Sequence, residues 1–195
     1  MSRIGAILLA AGSGSRMGRF KQLLPYRGKT LVEHAVEQAV AAGFDPIVAV
    51  LGASEELVRS KLAAYPVALV ENKNWECGMG SSLAAGARYL EESGAGLDGI
   101  AVLLADQPLV TADHLGAMLR VFEDGDGRIV AAHYDETLGV PAIFPGSLLP
   151  TLEAMKPEAG ARALLRDPSQ NVRAFELPEG AADIDTPGDF LKLPQ

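Results

Sequence analysis

Ile4-Gly5-Ala6-Ile7-Leu8-Leu9-Ala10-Ala11-Gly12-Ser13-Gly14-Ser15-Arg16-Met17-Gly18, followed closely by Lys21, is the stretch that decides the fold class of this chain. Its start is apolar on consecutive positions, which is typical of a parallel strand covered on both faces. The strand opens into a glycine-rich loop with two cations, Arg16 and Lys21. Glycine lets a ligand oxygen approach the main chain, and successive backbone amides form an anion-binding nest. The stretch predicts a polyphosphate site, with a plain turn and solvated cations as the alternative.

Two common phosphate-binding motifs are excluded by their spacing. Met17 stands where the dinucleotide fingerprint G-x-G-x-x-G needs its third glycine, and Gly18 comes one position late. The sequence G-x-x-x-x-G-K-[ST] does not occur in the chain. Interpretations as a dinucleotide-dependent dehydrogenase or a kinase therefore lose their main support.

The composition predicts one globular domain over residues 1–195, in which residues 125–182 form a less regular subregion. The chain has 195 residues and is 48% hydrophobic, enough for one sizeable core. A net charge of −8 argues against a nucleic-acid or anionic-membrane surface as partner. A single cysteine excludes an intramolecular disulfide. Neither a signal peptide nor an apolar run of about 20 residues is visible, so we expect a cytoplasmic protein.

Short apolar runs alternate with helical patterns, which predicts an α/β fold of three layers with a mainly parallel sheet. The strand candidates are Ile4 to Leu9, Ile47 to Leu51, Val67 to Val70, Ile100 to Leu104, Ile129 to Ala132 and Ala142 to Phe144. Thr30 and Glu33 form a capping box at one helix start. Ser54 and Thr111 are further N-cap candidates, for helices reaching about Ala64 and Glu123.

Two carboxylates are candidates for a metal site. Asp106 follows a buried strand, where it could also simply cap a turn, and Asp185 lies just before Thr186-Pro187, where it could cap a helix. Ligands of such sheets bind beyond the carboxyl ends of the strands. Two carboxylates converging beside a polyphosphate loop fit Mg²⁺ better than zinc, because Mg²⁺ prefers oxygen ligands. The three histidines show no metal-site spacing.

A third polar cluster runs from Asn72 to Leu83 and includes Gly80, Ser81 and Ser82. Its glycines and serines are suited to a loop that leads into a helix, with amides and hydroxyls available to a base, a ribose or a phosphate. Trp75 could cover a ring there, although a single tryptophan is more often a hydrophobic anchor.

The string L-A-A-G-x-G-x-R-M-G-x-x-K resembles the signature of the nucleotidyltransferases that share the molybdenum cofactor guanylyltransferase fold. Within them the chain is most similar to molybdenum cofactor cytidylyltransferases. The resemblance extends over nearly the whole chain, through Asn74-x-x-x-Gly78-Met79-x-Ser81-Ser82-Leu83, Ala105-Asp106-Gln107-Pro108, Gly139-Val140-Pro141, Gly160-Ala161-Arg162 and Asp183-Ile184-Asp185-Thr186-Pro187.

The resemblance implies a Rossmann-like nucleotidyltransferase fold and a role for each motif. Arg16 and Lys21 would act on the phosphates, and Mg²⁺ would be held by Asp106 and Asp185. The implied acceptor-binding residues are Ser82, Gln107, Pro141 and Arg162. The implied nucleotide-binding residues are Leu9, Ala10, Ala11, Gly12, Ser13, Gly14, Lys21, Gly80, Ser81 and Asp106.

The reaction implied is transfer of a nucleotide from CTP to the terminal phosphate of molybdopterin, with a client molybdoenzyme as a further partner. Guanylyl-transferring relatives usually carry glycine at the position of Ala11 and asparagine at that of Asp185, which favours CTP. The departure at Ala159, where relatives often carry a charged residue, puts the acceptor contacts in doubt. Alternatives are transfer from GTP, transfer to a sugar or polyol phosphate, and a nucleotide- or cofactor-binding chaperone without catalysis.

Overall fold

The apolar run that opens the chain forms an interior strand of a seven-stranded sheet. The structure is a computed structural model and describes residues 2–13, 20–125, 127–184 and 186–193. The strands within these residues are β1 (Ile4–Ala10), β2 (Pro25–Tyr26), β3 (Lys29–Thr30), β4 (Ile47–Leu51), β5 (Ala68–Glu71), β6 (Gly99–Leu104), β7 (Ile129–Tyr134), β8 (Thr137–Pro145) and β9 (Val172–Glu176).

The large sheet has the strand order β5-β4-β1-β6-β8-β7-β9, while β2 and β3 form a separate hairpin. Its pairings are parallel except for the two made by β8. Leu9 lies beside Val50 of β4 and Leu104 of β6. The carboxyl ends of these three strands therefore share one edge, and the prediction of a mainly parallel sheet is confirmed.

Helices cover both faces of the sheet, which confirms the predicted three layers. One face carries α1 (Leu31–Ala41), α2 (Glu55–Leu62) and α4 (Ala112–Glu123), whose apolar residues pack with Ala6 and Leu8 of β1. The other carries α3 (Met79–Glu92), α5 (Leu149–Glu153) and α6 (Ala161–Leu165), packed with Ile7 and Leu9. A short helix, α7 (Pro187–Leu191), follows.

Two of the three predicted helix caps form as expected. Thr30 and Thr111 each make a capping box. Ser54 is the N-cap residue of α2 but makes no side-chain cap bond, because its φ of −124° and ψ of 35° depart from the extended cap conformation. The helix ends at Leu62, two residues before the predicted end.

The region 125–182 is more regular than predicted. The β-excursion near residues 137–144 is β8, which pairs antiparallel with β6 and β7. Strand β9 was missed because it is an edge strand in which Val172 and Phe175 alone are partly buried, so it has no apolar run. The assignment of residues 1–195 to one domain stays a prediction.

Candidate functional site

A cavity of about 380 Å³ opens at the carboxyl ends of β1 and β6. This is the edge at which ligands bind in open parallel sheets. It is lined by Leu9, Ala10, Ala11, Gly12, Ser13, Lys21, Gln22, Trp75, Met79, Ser82, Leu104, Ala105 and Asp106. Three segments that are far apart in the sequence therefore meet in one place.

The loop after β1 forms one wall of this cavity. Ala11 is buried, whereas Gly12 is exposed, and a Cβ built on Gly12 would meet no atom within 4 Å. The φ angle of Gly12 is not in the positive, left-handed region. Neither crowding by the described residues nor backbone conformation requires a glycine here, and contact of its main chain with a ligand stays a prediction.

Lys21 and Asp106 form an ion pair in the lining of the cavity. Lys21 begins a one-turn 3-10 helix, Lys21–Leu23, and Asp106 lies two residues beyond the end of β6. Lys21 Nζ lies 3.5 Å from Asp106 Oδ2, and the side chains are 18% and 27% exposed. The pair brings a mobile cation and carboxylate oxygens to the place where the glycine-rich loop begins.

Gln22 belongs to the same wall, and sequence reasoning missed it. Its side chain is 4% exposed, and its Nε2 donates to the carbonyls of Ala10 at 2.8 Å and Gly12 at 2.7 Å. The sequence signal for Gln22 was its position next to Lys21. No local pattern, however, predicts that its side chain contacts the backbone of residues ten and twelve positions earlier.

The serine-rich segment contributes Ser82 to the cavity, whereas Gly80 and Ser81 lie outside the lining. Ser81 Oγ accepts from Asn72 Nδ2 at 2.8 Å, and its hydroxyl lies within donating distance of the Gly78 carbonyl at 2.8 Å and the Asn74 carbonyl at 2.9 Å. The Gly80 amide donates to the Pro157 carbonyl at 3.0 Å. These groups are used in holding the start of α3, and the base contacts proposed for Gly80 and Ser81 stay predictions.

Two large apolar side chains, Trp75 and Met79, complete the rim. Trp75 is half-buried, and Met79 is 53% exposed. A Cβ built on Gly52 would lie 2.8 Å from Trp75 Cγ and 2.8 Å from the Ala11 methyl carbon. The indole therefore packs over Gly52 and forms part of the cavity wall. Met79 belongs to the cluster identified from the sequence, whereas Gly52, which lies beneath Trp75 and outside the lining, was not identified.

Of the four residues expected to bind the acceptor, Ser82 lines this cavity, whereas Gln107, Pro141 and Arg162 lie outside its lining. Gln107 is 4% exposed, and its Nε2 donates to the carbonyls of Val140 at 3.0 Å and Gly180 at 2.7 Å. It therefore ties the end of β6 to β8 and to the turn at 178–181. Pro141 is buried in β8, and Arg162 lies in α6. Contact of any of the three with an acceptor stays a prediction.

Tyr134 is a further member of the acceptor side that the sequence did not reveal. Its hydroxyl donates to the Val140 carbonyl at 3.0 Å. Burial raises the pKa of the phenol, while hydrogen bonding to the Arg162 guanidinium opposes this. The tyrosine thus joins β7 to the segment from which an acceptor contact is expected.

Three predicted site residues, Gly14, Arg16 and Asp185, lie outside the described residues. Next to Asp185 in the chain, the Ile184 amide donates to the Asp106 carbonyl at 3.2 Å. The N-cap of α7 is Thr186, which forms a capping box with Asp189. This assigns the helix cap to Thr186 rather than to Asp185.

In the described part of the chain, no group of three or more His, Cys, Asp or Glu residues is placed to hold a metal ion.

His34 is buried, with its Nε2 3.1 Å from the Pro108 carbonyl. Burial lowers the pKa of the His34 side chain.

Among residues 2–13, 20–125, 127–184 and 186–193, no helix is long and apolar enough to cross a bilayer.

Comparison with known proteins gives a family match over most of the chain. The sequence model for the MobA-like NTP transferase domain matches residues 6–174. Nicotine blue oxidoreductase of Paenarthrobacter nicotinovorans is 34% identical over 201 residues, covering 97% of this chain and 96% of that protein. The "Probable molybdenum cofactor guanylyltransferase" of Opitutus terrae is 31% identical, covering 90% and 83%.

The fold has a similar counterpart among solved structures. The crystal structure of Rv0371c from Mycobacterium tuberculosis H37Rv in complex with manganese has a TM-score of 0.78 and 28% identity to this chain. The match covers 98% of each chain. The two proteins therefore share the same fold.

Proposed function

Because the chain belongs to the MobA-like NTP transferase family and is a nucleotidyltransferase, we propose that it transfers the cytidylyl group of CTP to the terminal phosphate of molybdopterin. An acceptor phosphate oxygen bonds to the α-phosphorus while the bond to the bridging oxygen of the leaving pyrophosphate breaks. The observation that carries the proposal is the 3.5 Å approach of Lys21 Nζ to Asp106 Oδ2 in a cavity that Ala11, Gly12 and Ser13 also line.

The chain's own residues supply positioning and charge. A phosphate monoester is largely ionised near neutral pH, so the nucleophile needs little help from a general base. Lys21 neutralises phosphate oxygens as charge moves toward the pyrophosphate, and the amides of the loop from Ala11 to Ser13 hold the phosphate chain. Arg16 is assigned to the same task by resemblance. Trp75 and Met79 give the base an apolar surface.

A divalent cation fits the donor set of this cavity. Asp106 offers carboxylate oxygens, and Mg²⁺ is commonly held by one or two carboxylates together with substrate phosphates. Asp106 and, by resemblance, Asp185 would hold the ion. The relative crystallised with manganese supports use of a metal of this class. When bound, the ion would neutralise phosphate charge beside Lys21.

The choice of CTP rests on Ala11 and its neighbours. The Ala11 methyl and the Trp75 indole both lie next to Gly52, and both residues line the cavity. A difference of one methyl group is worth about 1–3 kcal/mol in discrimination, which biases the choice of base toward the smaller pyrimidine. Ala11→Gly is expected to raise the use of GTP relative to CTP.

The test measures pyrophosphate release by the purified full chain with molybdopterin, Mg²⁺ or Mn²⁺, and each of the four nucleoside triphosphates. We expect release with CTP, and a loss of about 10²–10³ in kcat for Asp106→Asn, the size typical of removing a charge-stabilising group. Asp45→Asn is the matched control, because Asp45 is 81% exposed and lies just before the amino end of β4, at the opposite edge of the sheet.

The other outcomes separate the alternatives. Release with GTP would reassign the base, and release with a sugar or polyol phosphate would reassign the acceptor. Binding of CTP without release would support a nucleotide-binding chaperone. Oxidation or reduction of nicotine blue, and no pyrophosphate release, would support the activity in the name of the oxidoreductase relative. Full activity of Asp106→Asn would refute the assigned site.

A further inference from the structure

We propose that Gln22 is a positioning residue that holds the loop after β1 ready for phosphate, an inference that rests on the proposed function. Gln22 is 4% exposed and lines the cavity. Its Nε2 lies 2.8 Å from the Ala10 carbonyl oxygen and 2.7 Å from that of Gly12. Both hydrogens of the side-chain amide are therefore committed to the loop backbone.

Anchoring these carbonyls fixes the amides that follow them. A trans peptide holds its C=O and N–H on opposite sides, so the bonds from Gln22 set the Ala11 and Ser13 amides to face away from it. The Ala11 carbonyl accepts from the Ala53 amide at 3.3 Å, which sets the Gly12 amide in the same way.

These three amides are available to a ligand. Where the structure describes the chain, the amides of Ala11, Gly12 and Ser13 donate to no protein acceptor. All three residues line the cavity. Backbone N–H groups without a protein acceptor beside a lysine are a suitable surface for phosphate oxygens.

The side chain's chemistry explains why a glutamine is suited to the position. A carboxylate there would repel the two carbonyl oxygens, and an apolar side chain would leave them without donors. A released carbonyl that rotates into the cavity would also present a negative oxygen to the phosphates. Loss of the amide should therefore weaken anion binding more than it weakens the fold.

Gln107 provides a comparison matched for lost hydrogen bonds. It is equally buried, and its Nε2 also donates to two backbone carbonyls, but it lies outside the cavity lining. Gln22→Met and Gln107→Met therefore remove the same number and type of bonds. Gln107→Met therefore controls for the loss of stability that accompanies two lost hydrogen bonds. It is not a control for turnover, because Gln107 is expected to bind the acceptor.

The experiment titrates the full chain calorimetrically with inorganic pyrophosphate, and separately with CTP, in the presence of Mg²⁺. We expect Gln22→Met to raise the Kd for both about tenfold, as two lost hydrogen bonds allow. Gln107→Met is expected to lower the urea midpoint equally and to change the pyrophosphate Kd by less than about twofold. If Gln22→Met does not fold, Gln22→Asn takes its place, and we expect its Kd for pyrophosphate to lie between that of the wild type and about tenfold higher.

Two results would overturn the inference alone: wild-type pyrophosphate affinity in Gln22→Met, or equal weakening in both methionine variants. A wild-type chain that binds neither pyrophosphate nor CTP would overturn the proposed function as well. The two failures are distinguishable because the second appears before any substitution is made.

Discussion

Replacing Gly80 by alanine should destabilise the chain, because the start of α3 and the turn at residues 156–160 touch backbone to backbone. A Cβ built on Gly80 would lie 1.9 Å from the Lys156 carbonyl oxygen and 2.2 Å from that of Ala159. Real Cβ atoms essentially never come within 3.0 Å of such an atom, so the two segments must separate by about 1 Å. The Gly80 amide would then lose its 3.0 Å bond to Pro157.

The cost follows from these two changes. Overpacking of this kind costs about 1–3 kcal/mol, and one lost hydrogen bond adds about 1 kcal/mol. We therefore expect the free energy of unfolding to fall by about 2–4 kcal/mol, which lowers the Tm of a chain this long by about 4–16 °C. Urea and thermal unfolding followed by circular dichroism measure both quantities.

Gly12→Ala is the matched substitution with the opposite expectation. A Cβ there meets nothing within 4 Å, so we expect the free energy of unfolding to stay within about 0.5 kcal/mol of wild type. The same methyl would stand where a phosphate approaches, so the Kd for CTP should rise at least about tenfold. A Gly80→Ala chain as stable as wild type would refute the packing argument, and undiminished CTP binding by Gly12→Ala would refute the ligand-approach argument.

Three further predictions concern stability. Thr30→Ala should lower the free energy of unfolding by about 1 kcal/mol through loss of its capping box. Ser54→Ala should not lower it, because the buried Ser54 hydroxyl has no hydrogen-bond partner among the described residues; urea unfolding of both variants checks this. Burial lowers the pKa of His34, so the unfolded chain binds a proton that the folded chain does not, and stability should fall as pH drops through about 6.5. Unfolding titrations from pH 7.5 to 5.5 should show a weaker dependence for His34→Gln. Tyr134→Phe should lower the free energy of unfolding by about 1 kcal/mol through loss of its bond to Val140, and an unchanged urea midpoint would contradict this.

Sequence patterns were sufficient for much of the fold because they report local burial. The consecutive apolar residues of β1 and β6 are covered on both faces of a parallel sheet, so their pattern alone identifies them. β9 has no such pattern, since an edge strand is buried only in part. Ser54 shows a related limit, because residue type indicates an N-cap whereas the backbone angles decide whether its hydroxyl reaches an amide.

The sequence by itself determined the layer architecture, and it identified the glycine-rich loop, Lys21 and Asp106 as candidates for a phosphate site. Only the tertiary structure decided which groups meet in the cavity. It brings Lys21 to within 3.5 Å of Asp106, places Gln22 beneath the loop, and stacks Trp75 over Gly52. It also assigns the polar groups of Gly80 and Ser81 to holding α3. The physical reason is that these outcomes depend on contacts between segments far apart in the chain, and no local pattern of residues records such a distance.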